Sequence, residues 1–195
     1  MQDWLLGAGV AAPVVYLAGV LAAGAAYPGY SHRRQLLGEL GAADSAGAGW
    51  FNTALVLAGL LVVAFAFGLR AATGAFWPSL GVALFGAMTV LMGRYRSEPG
   101  GALQPHTRAA RLHGQAGVVA TVAVIAAALA LAWTAWHHRG WGPLAAFSLA
   151  AAFAAVALVA ALAMLEDSRW GGLVQRLLVG VVFVWILGVA GFLLA

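Results

Sequence analysis

Six long apolar runs separated by polar connections organise the chain, at roughly residues 4–26, 51–69, 76–92, 114–136, 143–165 and 177–195. Each approaches the ~20 residues that a helix needs to cross the hydrocarbon core of a bilayer. None alternates apolar and polar positions with period two. A barrel strand is therefore excluded, and each run must take the helix, which satisfies its own backbone in lipid. The pattern predicts an all-α, polytopic transmembrane six-helix bundle, with residues 1–195 as one integral membrane domain. The first run begins with Asp3 and lacks a basic leader, so it reads as a retained span and not as a cleaved signal.

The connections alternate in character. Residues 70–75 and 137–142 are short and carry one arginine each. The polar loops 28–50, 93–113 and 166–176 are longer and hold the other eight, Arg33, Arg34, Arg94, Arg96, Arg108, Arg111, Arg169 and Arg176. Six spans put these three loops on one face of the membrane. The positive-inside rule makes that face cytoplasmic and both termini external. Trp4, Trp77, Trp133, Trp136 and Trp141 fall near the sparse face and Trp50 and Trp170 near the arginine-rich one, as interfacial belts do. Gly81 with Gly86, and Gly188 with Gly191, are candidates for close helix contacts.

Composition sharpens this picture. The chain is 64% hydrophobic and 8% charged, against about 25% charged residues in a soluble domain. All ten basic residues are arginine and the formal charge is +4. In a soluble protein that balance would suggest nucleic acid; in loops between spans it points to topology or to an anionic ligand, and no nucleic-acid partner is expected. Ala-, Gly- and Arg-rich usage fits a GC-rich bacterial genome, hence a bacterial cytoplasmic membrane. The absence of cysteine removes disulfides, thiolate metal sites, covalent haem attachment and cysteine nucleophiles. No metal set is assigned and no cofactor is named.

The chemistry-bearing residues gather in the three arginine-rich loops. The strip YSHRRQLLGELGA, residues 30–42, predicts a short interfacial helix with Ser31 as its N-cap. Glu39 within it is either an exposed carboxylate paired with arginine or one turned inward to hold something. The following GAADSAGAGW reads as flexible linker and, without GK[ST], is no phosphate loop. In GRYRSEPGGALQPHTRAARLHGQAG, Pro99 and Pro105 mark a turn and the fourth helix is predicted to begin near His106 or Thr107. A continuous helix would set His106 and His113 on one face two turns apart. His113 lies nearest the hydrocarbon and is expected to face the bundle interior. In MLEDSRWGGLVQRLL, Asp167 reads as a solvated loop charge, and Arg176 either snorkels or points inward. The candidate ligand-binding residues are Arg33, Arg34, Glu39, Glu98, His106, Arg108, Arg111, His113 and Arg176, in a pocket shared by the three loops; no catalytic residue is assigned.

These same residues carry a resemblance. A first span ending in YPGYSHRRQLLGELGA, followed by a second opening with WFN, resembles the uncharacterised bacterial membrane family called domain of unknown function 998. The resemblance implies six membrane helices and emphasises Glu39-Leu40-Gly41-Ala42, Glu98 and His113 on one face. Gly38 departs from it where a serine is expected, and Arg96 and Glu98 stand where a Phe-Pro-x-Asp-like motif is expected. It brings no reaction with it.

The residues favour a protein that binds or moves a lipid headgroup or other anionic or zwitterionic small molecule, because arginine grips phosphate and carboxylate in bidentate fashion. On this reading, losing Arg108 or Arg111 weakens lipid retention. A zinc-dependent intramembrane hydrolase is one alternative, drawing on His113, His106, His32 and Glu39 or Glu98, although no HxxxH or HExxH spacing occurs. A bis-His haem carrier is disfavoured because only His113 approaches the core. A structural or regulatory subunit held by a membrane-protein partner is the remaining alternative.

Overall fold

Sequence neighbours pack against each other as an up-and-down series of helices in the computed structural model, which describes residues 2–99 and 106–195. The helices are α1 (Gln2–Ala26), α2 (Ala48–Thr73), α3 (Phe76–Arg94), α4 (Arg108–Trp136), α5 (Gly142–Leu165) and α6 (Gly171–Leu194). All six are long and apolar enough to cross a membrane, and no strand occurs among the described residues. Each expected run thus forms a helix, extended mainly by polar first turns that hydropathy alone leaves out. α4 begins six residues earlier than its apolar run, with Thr107 as N-cap accepting from the Ala110 amide at 3.2 Å. Pro105 lies outside the described residues.

The short turns set the topology. α2 stops at Gly74, whose φ of +66° lets its amide return to the Arg70 carbonyl at 3.0 Å. Such tight connections force antiparallel neighbours, and α6 closes the series by packing back on α1. Phe65, Val82, Leu131, Trp185 and Ile186 fill the centre. The buried indole of Trp185 donates to the buried Ser148 hydroxyl at 3.0 Å, tying α6 to α5. Leu17, Phe67, Val118, Phe153 and Val184 are exposed, an outward apolar face that only lipid solvates well.

Small residues bring α2 and α3 together. A Cβ on Gly59 would lie 2.7 Å from the Gly86 carbonyl, and one on Gly86 2.8 Å from the Gly59 carbonyl. Gly81 meets the Ala123 carbonyl of α4 and Gly188 the Phe147 ring of α5 in the same way. Gly191 does not: nothing lies within 4 Å of the position its Cβ would take, so the expected Gly188–Gly191 contact reduces to Gly188.

Two expectations for the first loop are corrected. No α-helix starts at Ser31. The chain turns there, with Arg34 and Gln35 amides on the Ser31 carbonyl, and only a 3-10 turn, Leu37–Gly41, follows. Ser31 acts through its backbone amide, which donates to the Gln35 side chain at 2.8 Å. The stretch read as linker is packed instead. Gly41, Ala42, Ser45 and Gly47 are buried, Ser45 Oγ accepts from the Gly47 amide at 3.2 Å, and α2 has already begun at Ala48.

Candidate functional site

Residues 27–47 form a strap across one end of the bundle, and the start of α6 holds it. The first amides of a helix lack intrahelical acceptors. One of these, on Leu173, donates to the Arg33 carbonyl at 3.0 Å. Two residues on, the Gln175 side chain accepts from the Leu37 amide at 2.6 Å. Arg176 then reaches under the strap. Its Nη1 donates to the carbonyls of Gln35 and Gly172, each at 2.8 Å, and its Nη2 donates to the Tyr30 hydroxyl. The Tyr30 hydroxyl in turn donates to the Leu36 carbonyl at 3.1 Å. Burial pushes the Tyr30 phenol up from its usual range, against the opposing pull of Arg176. Beside it His32 is held below its usual value by burial and by the charge of Arg176.

Glu39 shapes the strap from within. Its amide donates to the Leu36 carbonyl at 3.2 Å, while its carboxylate accepts from the Leu36 amide at 2.8 Å and from Gln35 Nε2 at 3.1 Å. That reciprocal bonding fixes the 3-10 turn, and the arginine-paired reading of Glu39 finds no support, since no arginine pairs with it among the described residues.

The strap and the α5–α6 turn border an open cleft of about 420 Å³. The strap supplies Arg34, Leu36 and Glu39; the turn supplies Glu166, Asp167, Ser168 and Arg169. Two guanidiniums and three carboxylates therefore share one opening, yet no ion pair within 4.0 Å joins them. Arg169 lies over the Trp170 ring at 5.4 Å and Arg33 over the same ring at 5.0 Å. Cation–π attraction of this kind restrains both guanidiniums at the interfacial level where tryptophan settles.

The third loop lies beside the strap. Glu98 binds the start of α4, accepting from the amides of His106 at 2.9 Å and Thr107 at 2.7 Å, with the His106 ring 3.5 Å away. These bonds, Thr107's first, hold its carboxyl down at about 2. His113 closes the end of α3: its Nδ1 sits 3.0 Å from both the Met92 and the Tyr95 carbonyls. Carbonyls only accept, so Nδ1 carries the proton and Nε2 faces the strap. A Cβ on Gly38 would lie 3.6 Å from that Nε2 and 3.0 Å from Ser97 Oγ.

The structure thus distributes the nine sequence candidates. Arg34 and Glu39 line the cleft, Arg33 borders it on Trp170, and Arg176 lies beneath the strap. Glu98, His106 and His113 organise the α3–α4 connection, with Arg108 and Arg111 exposed on the first turns of α4. His106 precedes the helix, so it shares no helical face with His113. The zinc alternative finds no set of three or more His, Asp or Glu placed to hold a metal among the described residues. Glu166, Asp167, Ser168 and Arg169 are the cleft residues that hydropathy passes over. The doublet Glu166-Asp167 immediately after a span, together with Arg169 in the same arginine-rich loop, was their visible signal.

Six membrane-length helices capped at one end by a strap and a two-signed cleft define a multi-pass membrane protein. A family model described as a protein of unknown function (DUF998) matches residues 10–191. The chain belongs to that family. No curated protein and no solved structure matches it.

Proposed function

We propose that the protein is a membrane-embedded binding protein that holds a charged lipid headgroup, or a small molecule of the same chemistry, in the cleft between the strap and the α5–α6 turn. The carrying observation is a set of arginines and carboxylates that share one opening without pairing. The volume is right for a headgroup and too small for a whole lipid. Trp170 beside it marks the depth at which headgroups lie. In the same reading the membrane is the bacterial cytoplasmic one, with the arginine-rich end inside and both termini outside.

Binding is favoured over passage by the interior. Between α4, α5 and α6 the space amounts to about 10 Å³, walled by Val124, Ala128, Ala152, Val182 and Trp185 among others. It is apolar and at most one water in size. The test is lipid retained through purification. R34A and R169A should each lower it about tenfold, the effect of roughly 1.4 kcal/mol. R139A, at the opposite end, should leave it unchanged. Retention equal to wild type in both cleft variants refutes the reading.

A further inference from the structure

We infer that the cleft selects a zwitterion bearing a primary ammonium beside a phosphate, the phosphoethanolamine pattern; this rests on the headgroup reading above. The argument begins with charge. A purely anionic group entering between Arg34 and Arg169 would also meet Glu39, Glu166 and Asp167. A simple cation would meet both guanidiniums. Only a ligand carrying both signs pairs with both kinds of wall. The walls are spaced for it, because no arginine in the cleft lies within 4.0 Å of a carboxylate among the described residues.

The free valences agree. Glu39 has already spent its carboxylate on Leu36 and Gln35. Glu166 and Asp167 accept no hydrogen bond through their side chains among the described residues, so the α5–α6 turn is where an ammonium would be received. Arg169, restrained on Trp170, and Arg34 across the cleft are the phosphate partners, since a guanidinium presents paired N–H groups to phosphate oxygens.

The ammonium must be primary. Three N–H donors can be shared between the Glu166 and Asp167 carboxylates. A quaternary ammonium has no donor and is recognised by aromatic faces. No aromatic side chain among the described residues lines this cleft, and the neighbouring Trp170 ring already carries Arg33 and Arg169. Choline headgroups therefore lack their usual receptor here.

The experiment offers the purified full chain an equimolar mixture of phosphatidylethanolamine, phosphatidylcholine and phosphatidylglycerol with identical acyl chains, and counts bound lipid by native mass spectrometry. Phosphatidylethanolamine should exceed each of the others by about tenfold, the worth of one charge-assisted bond. E166Q combined with D167N should erase that preference while the protein keeps its wild-type melting temperature. Equal retention of ethanolamine and choline lipids overturns the inference. If R34A and R169A still reduce that equal retention, the headgroup reading survives alone; if they do not, both fall. A second arm adds free phosphoethanolamine or phosphocholine. Displacement by phosphoethanolamine alone supports the same chemistry from a soluble source, and displacement by both equally counts against the inference. Should the double variant not fold, E166Q alone gives the same comparison.

Discussion

Arg176 offers the most direct test of how the strap is held. Replacing it with methionine keeps the apolar stem and removes the guanidinium. Two bonds to the strap are lost, to the Gln35 carbonyl and to the Tyr30 hydroxyl; the bond to Gly172 stays within α6 and does not count. A hydrogen bond to a charged group contributes roughly 1.5–3 kcal/mol. Against that stands Arg176 Nε, which is buried with no hydrogen-bond partner among the described residues and costs energy in the native protein. A net loss of about 2–4 kcal/mol in strap docking is expected. The helices keep their own contacts, so the effect is local unfolding and not collapse. Hydrogen exchange on the reconstituted protein reads it at the amides of Leu36, Leu37 and Leu173, whose acceptors are Glu39, Gln175 and Arg33. Exchange there should rise roughly 30- to 1000-fold, while the Trp185 region of α6 stays protected. R176K should recover only part of the loss, because one ammonium presents no planar fork spanning both acceptors. Native protection of the Leu37 and Leu173 amides in folded R176M would refute the reasoning.

Two further outcomes follow from the same end of the molecule. G47A should prevent stable folding, because its methyl would strike the Ala23 backbone in α1, whereas G38A meets only the movable Ser97 hydroxyl at 3.0 Å and should shift the melting temperature little; equal shifts would contradict this packing. E98Q should speed exchange at the His106 and Thr107 amides at pH 7. Wild type should show the same loosening only in acid, because a carboxyl lowered from 4.5 to about 2 contributes fully above pH 4.5 and loses its hold as pH falls toward 2. Identical protection of both amides in E98Q and wild type at pH 7 would remove Glu98 from this role.

Much of the molecule was legible in one dimension because lipid imposes a simple rule. A run of apolar residues of membrane length has to be a helix, and the spacing of polar breaks then sets topology and brings loops 28–50, 93–113 and 166–176 to one end. The contacts of the strap with α6, and of Gly38 with Ser97 and His113, follow that placement. Helix starts were legible where a cap was visible and less so elsewhere: α4 begins behind Thr107 as expected, whereas α6 starts six residues before its apolar run, where the Leu173 amide finds the Arg33 carbonyl, which hydropathy does not register.

Side-chain roles in that polar face were the part sequence left open. His113 and Arg176 looked like ligand contacts because charge or imidazole near hydrocarbon usually marks function; the tertiary structure gives them carbonyls to hold, at the end of α3 and under the strap. Glu39 likewise meets backbone and glutamine, not arginine. Arginine and carboxylate side chains each have several partners within reach of a loop, and only the path of residues 27–47 across α6 decides between them. Composition and period alone established a six-span membrane protein with eight of its ten arginines at one end. Which of those charges pair, which support the backbone and which line the cleft was decided by the docking of a strap whose backbone acceptors no hydropathy pattern encodes.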